Sequence, residues 1–280
     1  MKIILKIIGI LFQIIKLIIT KMIHGSFGGR LGNQMFQYAI ARIVAEKNGY
    51  EFYLPQVNEL PHPHPEDPSH HIFNFFPNLE RGKIDGNLQY IYNENPGQYF
   101  DPNLFNAPNF TRLYGYYQTE RYFEGYEDKI KEWFKLEADD KTSELLLKYP
   151  VEEYCYIHFR VYVFGEGQTY ISLKFYLDAM DKIKEIKPDI KFLVITEEIP
   201  KAEEVFKDVD CEIISNDMMV DLKLLYFSKY CIISPSTYSW WAAWLTDKYI
   251  TVAPMYWIYY DKPEKGWFPC EIKSKKFIYV

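Results

Sequence analysis

The sequence predicts an α/β protein built on parallel sheets, and three observations carry that expectation. From residue 149 onward, short apolar runs expected to be strands (154–159, 191–195, 211–214, 230–233 and 249–253) alternate with helical patterns (172–186, 201–206, 219–227 and 238–245). Strands that alternate with helices pair in parallel, with helices covering both faces of the sheet. Near the other end, a strand (22–27) runs through a glycine turn into a helix (33–47) whose apolar residues Met35, Phe36, Ala39, Ile40, Ile43 and Val44 keep helical spacing. Finally, 280 residues at 48% hydrophobic content can bury one large core or two smaller ones. The formal net charge of −6 argues against general nucleic-acid binding.

Residues 1–21 differ from the rest. Thirteen of the seventeen positions from Ile3 to Ile19 are Ile, Leu or Phe, and the exceptions Lys2, Lys6, Gly9, Gln13, Lys16 and Thr20 recur at the helical period. A helix with one narrow basic stripe suits a single membrane span, a helix lying in the membrane plane, or an extra packed helix. Lys6 and Lys16 lie toward the ends, where they can reach the interface, and no acidic residue precedes Glu46. Membrane contact through 1–21 is therefore expected, with either a membrane-associated or a cytoplasmic location. No small-residue cleavage site follows, which disfavours a secretory signal peptide. The segment precedes the glycine turn and reads as an addition to the domain that follows.

Regular patterning fades between residues 51 and 99. Residues 61–71 hold four of the six histidines, but Pro61, Pro63, Pro65 and Pro68 break any helix that would present them at fixed spacing, so a surface loop is expected. Asn109-Phe110-Thr111 is a glycosylation sequon, relevant only in a secretory lumen. A strand is expected over 112–118, then a helix over 120–135 capped by Thr119. The charged stretch 137–148 reads as a hinge. Cys155, Cys211, Cys231 and Cys270 are scattered without a Cys-x-x-Cys pair, so reduced thiols are expected. Residues 262–280 carry no clear pattern and are expected to cross back over the sheet.

The glycine turn is the first candidate site. Gly28, Gly29 and Gly32 permit positive φ and close approach to the backbone. The first turn of the following helix offers free N–H groups and positive dipole to a phosphate or carboxylate, and Arg30 adds a planar, permanent cation. The rule that ligands sit beyond the carboxyl ends of parallel strands selects the other positions. Ser234, Ser236, Thr237 and Ser239 cluster just before a helix start. Thr196-Glu197-Glu198 ends another strand; the acid there is either a ligand contact or a favourable charge at a helix start. Trp240 and Trp244 share a helix face and are expected in the core.

The string Gly29-Arg30-Leu31-Gly32-Asn33-Gln34-Met35-Phe36-Gln37-Tyr38-Ala39 closely resembles the opening motif of the α-1,2-fucosyltransferases, glycosyltransferase family 11. The 115–123 stretch and Ser234-Pro235-Ser236-Thr237-Tyr238-Ser239-Trp240-Trp241 resemble two further family motifs, and the resemblance spans roughly residues 22–260. It implies a GT-B-like fold, two Rossmann-like halves with parallel sheets facing a cleft: 1–21 as the extra helix, 22–148 on the acceptor side, 149–280 holding the nucleotide sugar. It implies transfer of L-fucose from GDP-fucose to a glycan hydroxyl such as the galactose 2-OH, inverting and independent of metal or other cofactor. Arg160 and His158 are then the catalytic candidates, Arg160 gripping the β-phosphate. Arg30, Gly29, Gly32, Asn33, Gln34, Glu197, Ser234, Ser236, Thr237 and Ser239 are the donor-binding candidates. Glu197 stands where the family has an acid able to bond a ribose or guanine edge. His24 is a candidate base, and Asp221 reads as structural. The chain departs from the family's His-x-Arg-Arg-x-Asp pattern: Val161 replaces the second arginine and Val163 the aspartate. Those departures keep two alternatives open, a non-catalytic nucleotide-sugar or glycan-binding protein and a transferase for another nucleotide sugar.

Overall fold

Met22, Ile23 and His24 are all buried, and Gly25 ends them as a short first strand, β1 (Met22–His24). The computed structural model describes residues 21–54, 71–82, 88–164, 167–169 and 171–280. The expected N-terminal membrane helix and residues 61–70 of the histidine-rich loop therefore lie outside the described residues. Among the described residues, no helix is long and apolar enough to cross a membrane.

Helix α1 (Leu31–Asn48) begins two residues earlier than its apolar spacing suggested, so Gly32 lies inside the helix and not in the turn. Gly49 closes it in the left-handed conformation, φ 63°, its N–H returning to the Ala45 and Glu46 carbonyls. After β2 (Glu51–Tyr53), α2 (Ile72–Phe75), β3 (Tyr90–Asn93) and β4 (Thr111–Tyr114), a four-stranded sheet is complete in the order β2-β1-β4-β3, parallel throughout. The sequon residues serve the fold: Asn109 Oδ1 accepts the Met22 N–H at 2.6 Å, and Thr111 is buried. The single helix expected over 120–135 is two pieces, a 3-10 turn (Glu120–Phe123) and α3 (Glu127–Trp133). Gly125 separates them at φ 78°, a left-handed conformation that interrupts helical hydrogen bonding. The expected hinge is a helix, α4 (Asp140–Lys148), which Asp139 caps by accepting the Thr142 N–H at 2.8 Å.

The second half follows its pattern closely. It contains β5 (Tyr154–His158), then a hairpin of β6 (Tyr162–Phe164) and β7 (Gly167–Thr169), and α5 (Leu173–Lys184). Next come β8 (Lys191–Ile195), α6 (Ile199–Val205), β9 (Glu212–Ile214) and α7 (Met218–Phe227). The chain ends with β10 (Tyr230–Ile232), α8 (Thr237–Trp244), β11 (Ile250–Ala253) and β12 (Ile278–Tyr279). The six-stranded sheet has the order β12-β11-β10-β5-β8-β9, again parallel throughout. The expected two-sheet α/β arrangement is thus what the chain adopts. All four cysteines are free thiols.

One aromatic core joins the two sheets. Phe36 of α1 packs against Trp240 and Trp241 of α8, with ring centres 4.8 and 4.7 Å apart, and Phe123 stacks on Trp241 at 5.4 Å. Each indole of α8 finds an acceptor: Trp241 on the Gly32 carbonyl at 2.9 Å, Trp240 on Ile272, and Trp244 on Glu120. Glu120 also receives Ser274 Oγ and the Lys275 N–H, so the C-terminal stretch crosses back to clasp the first half. The starts of α1 and α8 touch backbone to backbone. A methyl group at Gly32 would overlap the Tyr238 nitrogen and lie 2.6 Å from Thr237 Oγ1. Gly32→Ala is therefore expected to lower stability by about 1–3 kcal/mol through forced separation of the helices, measured by urea unfolding.

Candidate active site

The carboxyl ends of the two sheets meet at one seam, and charge gathers there. Arg30 follows β1, Arg160 follows β5 and Glu197 follows β8. Arg160 forms an ion pair with the Glu197 carboxylate, and Arg30 Nη1 lies 3.4 Å from the same carboxylate oxygen. The Arg160 side chain is 19% exposed, against 60% for Arg30 and 53% for Glu197. Two guanidinium groups from different halves therefore share one partly solvated acid. Val161, by contrast, is buried in the apolar layer with Phe159 and Ile171. Position 161 faces away from the seam, and Arg30 is the cation found beside Arg160.

The glycine turn is held by two amide side chains of α1, and a third ties α1 to its neighbours. Gln37 accepts the Gly28 N–H at 2.9 Å and donates to the Gly115 carbonyl at 2.8 Å. Gln34 donates to the Gly29 carbonyl at 3.0 Å and accepts the Ile72 N–H at 2.9 Å. Asn33 Oδ1 accepts from both Thr237 Oγ1 and Gln118 Nε2, each at 2.8 Å, which ties α1 to α8. Gly29 needs its missing side chain, since it sits at φ 71°. Of the donor-binding candidates, Gly29 lies in the turn and Gln34 holds it, Gly32 and Asn33 meet α8, and these amide contacts are spent within the protein. Neither Arg30 at the start of α1 nor Ser236 at the start of α8 caps its helix with a side chain, whereas Asp139 and Asp217 cap α4 and α7. Two uncapped helix starts therefore stand beside the arginines, with Ser236 and Thr237 only half-buried.

His158 is set back from this surface. It is 7% exposed, its Nδ1 lies 2.8 Å from Ser234 Oγ, and its ring packs against Tyr238 at 5.5 Å. Burial, followed by the neighbouring Arg160 charge, pushes its pKa down to about 3, so the ring is neutral near pH 7. Ser234 and Ser239 are fully buried, and Ser239 Oγ bonds to the Ser234 and Ser236 carbonyls. His24 is also buried, edge-on to Tyr53. Asp221 is buried on α7, accepts from Asn216 Nδ2 at 2.9 Å, and has its pKa raised to about 6 chiefly by burial.

Two supporting groups escaped sequence reasoning. Gln37 lies three residues after Gln34, on the same face of α1, and that spacing was a usable signal. Glu94 offered none: it follows β3 and accepts the N–H groups of Tyr116 and Tyr117 at 2.7 and 2.8 Å, holding the loop beside the glycine turn. Burial raises its pKa above the ordinary carboxylate value. A depression of about 600 Å³ lined by Tyr154, Lys184, Lys191, Phe192 and Glu212 lies at the opposite, amino ends of β5, β8 and β9. Parallel sheets bind ligands at the carboxyl ends, which makes the seam the candidate site. Among the described residues, no three His, Cys, Asp or Glu side chains are grouped to hold a metal ion.

Asp221 supplies a pH test of this architecture. An acid whose pKa is raised on folding contributes fully below its unfolded value and loses that contribution as pH rises through the folded value. Between pH 3.8 and about 6, Asp221 should therefore cost the protein about 3 kcal/mol of stability. Asp221→Asn should abolish that part of the slope, read as the difference between the two proteins in urea unfolding across the range.

Three comparisons place the chain. The sequence profile of Glycosyl transferase family 11 matches residues 13–267. An alpha-1,2-colitosyltransferase of Escherichia coli is 30% identical over 175 residues, covering 57% of this chain and 60% of that protein's length. Arabidopsis thaliana FUT1 in complex with GDP is similar at 11% identity and a TM-score of 0.46, covering 84% of this chain and 70% of that one. The fucosyltransferase NodZ from Bradyrhizobium gives 11% identity and a TM-score of 0.46, covering 81% and 94%. Structural likenesses this loose add no weight. The family match rests on the sequence, runs over most of the chain and includes the glycine turn, the arginine after β5 and the helix of tryptophans: the chain belongs to glycosyltransferase family 11.

Proposed function

We propose that this protein transfers L-fucose from GDP-fucose to a glycan hydroxyl, the 2-OH of galactose, with inversion and without a metal ion. The supporting observation is the meeting of Arg30 and Arg160 on one carboxylate beside two uncapped helix starts. In the proposed reaction the bond from the sugar anomeric carbon to the β-phosphate oxygen breaks while the acceptor oxygen attacks from the opposite face. The acceptor proton passes to solvent water, and GDP departs with added negative charge. A guanidinium meets a phosphate with paired, charge-assisted hydrogen bonds, and such donors act most strongly where charge develops. Arg160, the more buried, takes the β-phosphate; Arg30 supplies the second cation from the other half. Ser236, Thr237 and the α8 start offer uncharged donors to the remaining oxygens. Neutral His158 holds Ser234 and so braces the loop before α8. The glycan approaches from the side of the first sheet.

A second donor reading follows from the colitosyltransferase relative: the same diphosphate machinery would serve a colitosyl nucleotide. Membrane contact through residues 1–21 stays within the proposal, tested by flotation of the full chain with anionic vesicles. Incubation with GDP-fucose and a galactoside should yield fucosylated product, undiminished by a chelator. Product from the colitosyl donor alone would select the second reading, and GDP binding without turnover would indicate a binding protein. Arg160→Ala should lower kcat about 10²–10³-fold, equivalent to roughly 3–4 kcal/mol of transition-state stabilisation. Arg30→Ala should act mainly by raising the donor KM, because that side chain is the more solvated.

A further inference from the structure

We propose that Glu197 is an internal stand-in for the donor's phosphate: its carboxylate holds Arg30 and Arg160 together in the free protein and sets which anions the site admits. The inference rests on the donor reading above, and it gives Glu197 a different role from a contact to ribose or base. The geometry is direct. One carboxylate oxygen of Glu197 serves both guanidinium groups, which come from opposite sides of the seam. Without an anion between them, the two like charges would repel, so the ligand-free site needs a counter-ion.

The pair is also built to be exchanged. Glu197 lies in the short connection from β8 to α6, where Thr196 Oγ1 accepts the Glu198 N–H at 3.0 Å and fixes the turn. The backbone is therefore held while the Glu197 side chain, 53% exposed, stays free to rotate into water. Ion pairs this solvated are weak. A singly charged anion that replaces Glu197 gains little, since it exchanges one negative charge for another. A diphosphate brings more charge and enough oxygens to engage both planar forks at once. Displacement of Glu197 thus favours diphosphates over monoanions and couples donor arrival to release of the acid.

The test compares wild type and Glu197→Gln by calorimetry with inorganic pyrophosphate, GDP and guanosine. Melting curves confirm that the half-exposed substitution leaves the fold intact. With the competitor removed, pyrophosphate and GDP should bind about three- to tenfold more tightly, guanosine should be unchanged, and the salt dependence of GDP binding should steepen. Unchanged or weakened pyrophosphate binding by Glu197→Gln overturns the inference, as does a loss of guanosine affinity, which would mark a ribose or base contact. Tighter pyrophosphate binding by a protein that ignores GDP would uphold Glu197 as the stand-in while removing the GDP-fucose reading.

Discussion

The close approach of two helix starts organises this molecule. Gly32 lets the backbone of α1 press against Thr237 and Tyr238 of α8, and the Trp241 indole secures the contact by donating to the Gly32 carbonyl. Asn33 then accepts from Thr237 on one side and Gln118 on the other. Those few contacts bring the carboxyl ends of two separate sheets to one seam. Any side chain at position 32 would overlap the Thr237–Tyr238 backbone and force the two helix starts apart. The aromatic block of Phe36, Phe123, Trp240 and Trp241 supplies the apolar burial that makes so tight a crossing hold.

Burial and exposure divide the polar groups of the seam by task. His158, Ser234 and Ser239 are inside, bonded to one another or to backbone, and His158 is held neutral by desolvation. A buried imidazolium beside Arg160 would be doubly unfavourable, without water and next to a like charge. Arg30 and Glu197 are solvated. A buried, uncharged inner layer thus carries a solvated, charged outer layer. Asp217 and Asp139 cap other helices with their side chains, whereas the starts of α1 and α8 carry no side-chain cap.

Much of the fold was legible because the second half alternates cleanly: β8 matched its expected bounds, and the neighbouring strands and helices fell within a few residues of theirs. Short elements were not legible. β2 and β3 have three and four residues, too few to display a period, and Tyr90 and Ile91 are exposed at the sheet edge, so no burial pattern marks them. The helix expected over 120–135 breaks at Gly125, a choice made by local backbone geometry against apolar spacing. The stretch taken for a hinge became α4 because Asp139 caps it and Thr142 and Leu145 are buried. At the site, residue types were readable but not their duties. Asn33, Gln34 and Gln37 carry the motif, yet the Gln34 and Gln37 amides hold the turn and Asn33 ties α1 to Gln118 and α8.

Local pattern alone established the α/β class, the glycine turn leading into α1, the tryptophan helix and the family to which the chain belongs. Such features depend on neighbours within a few residues, where periodicity and backbone preference act. Which charges face one another was decided only by the folded chain. Arg30, Arg160 and Glu197 are separated by 130 and 37 positions, and nothing local in the sequence says that one carboxylate will serve both arginines. Electrostatic pairing depends on distance in space, and that distance is set by a glycine on one helix and a layer of rings on another.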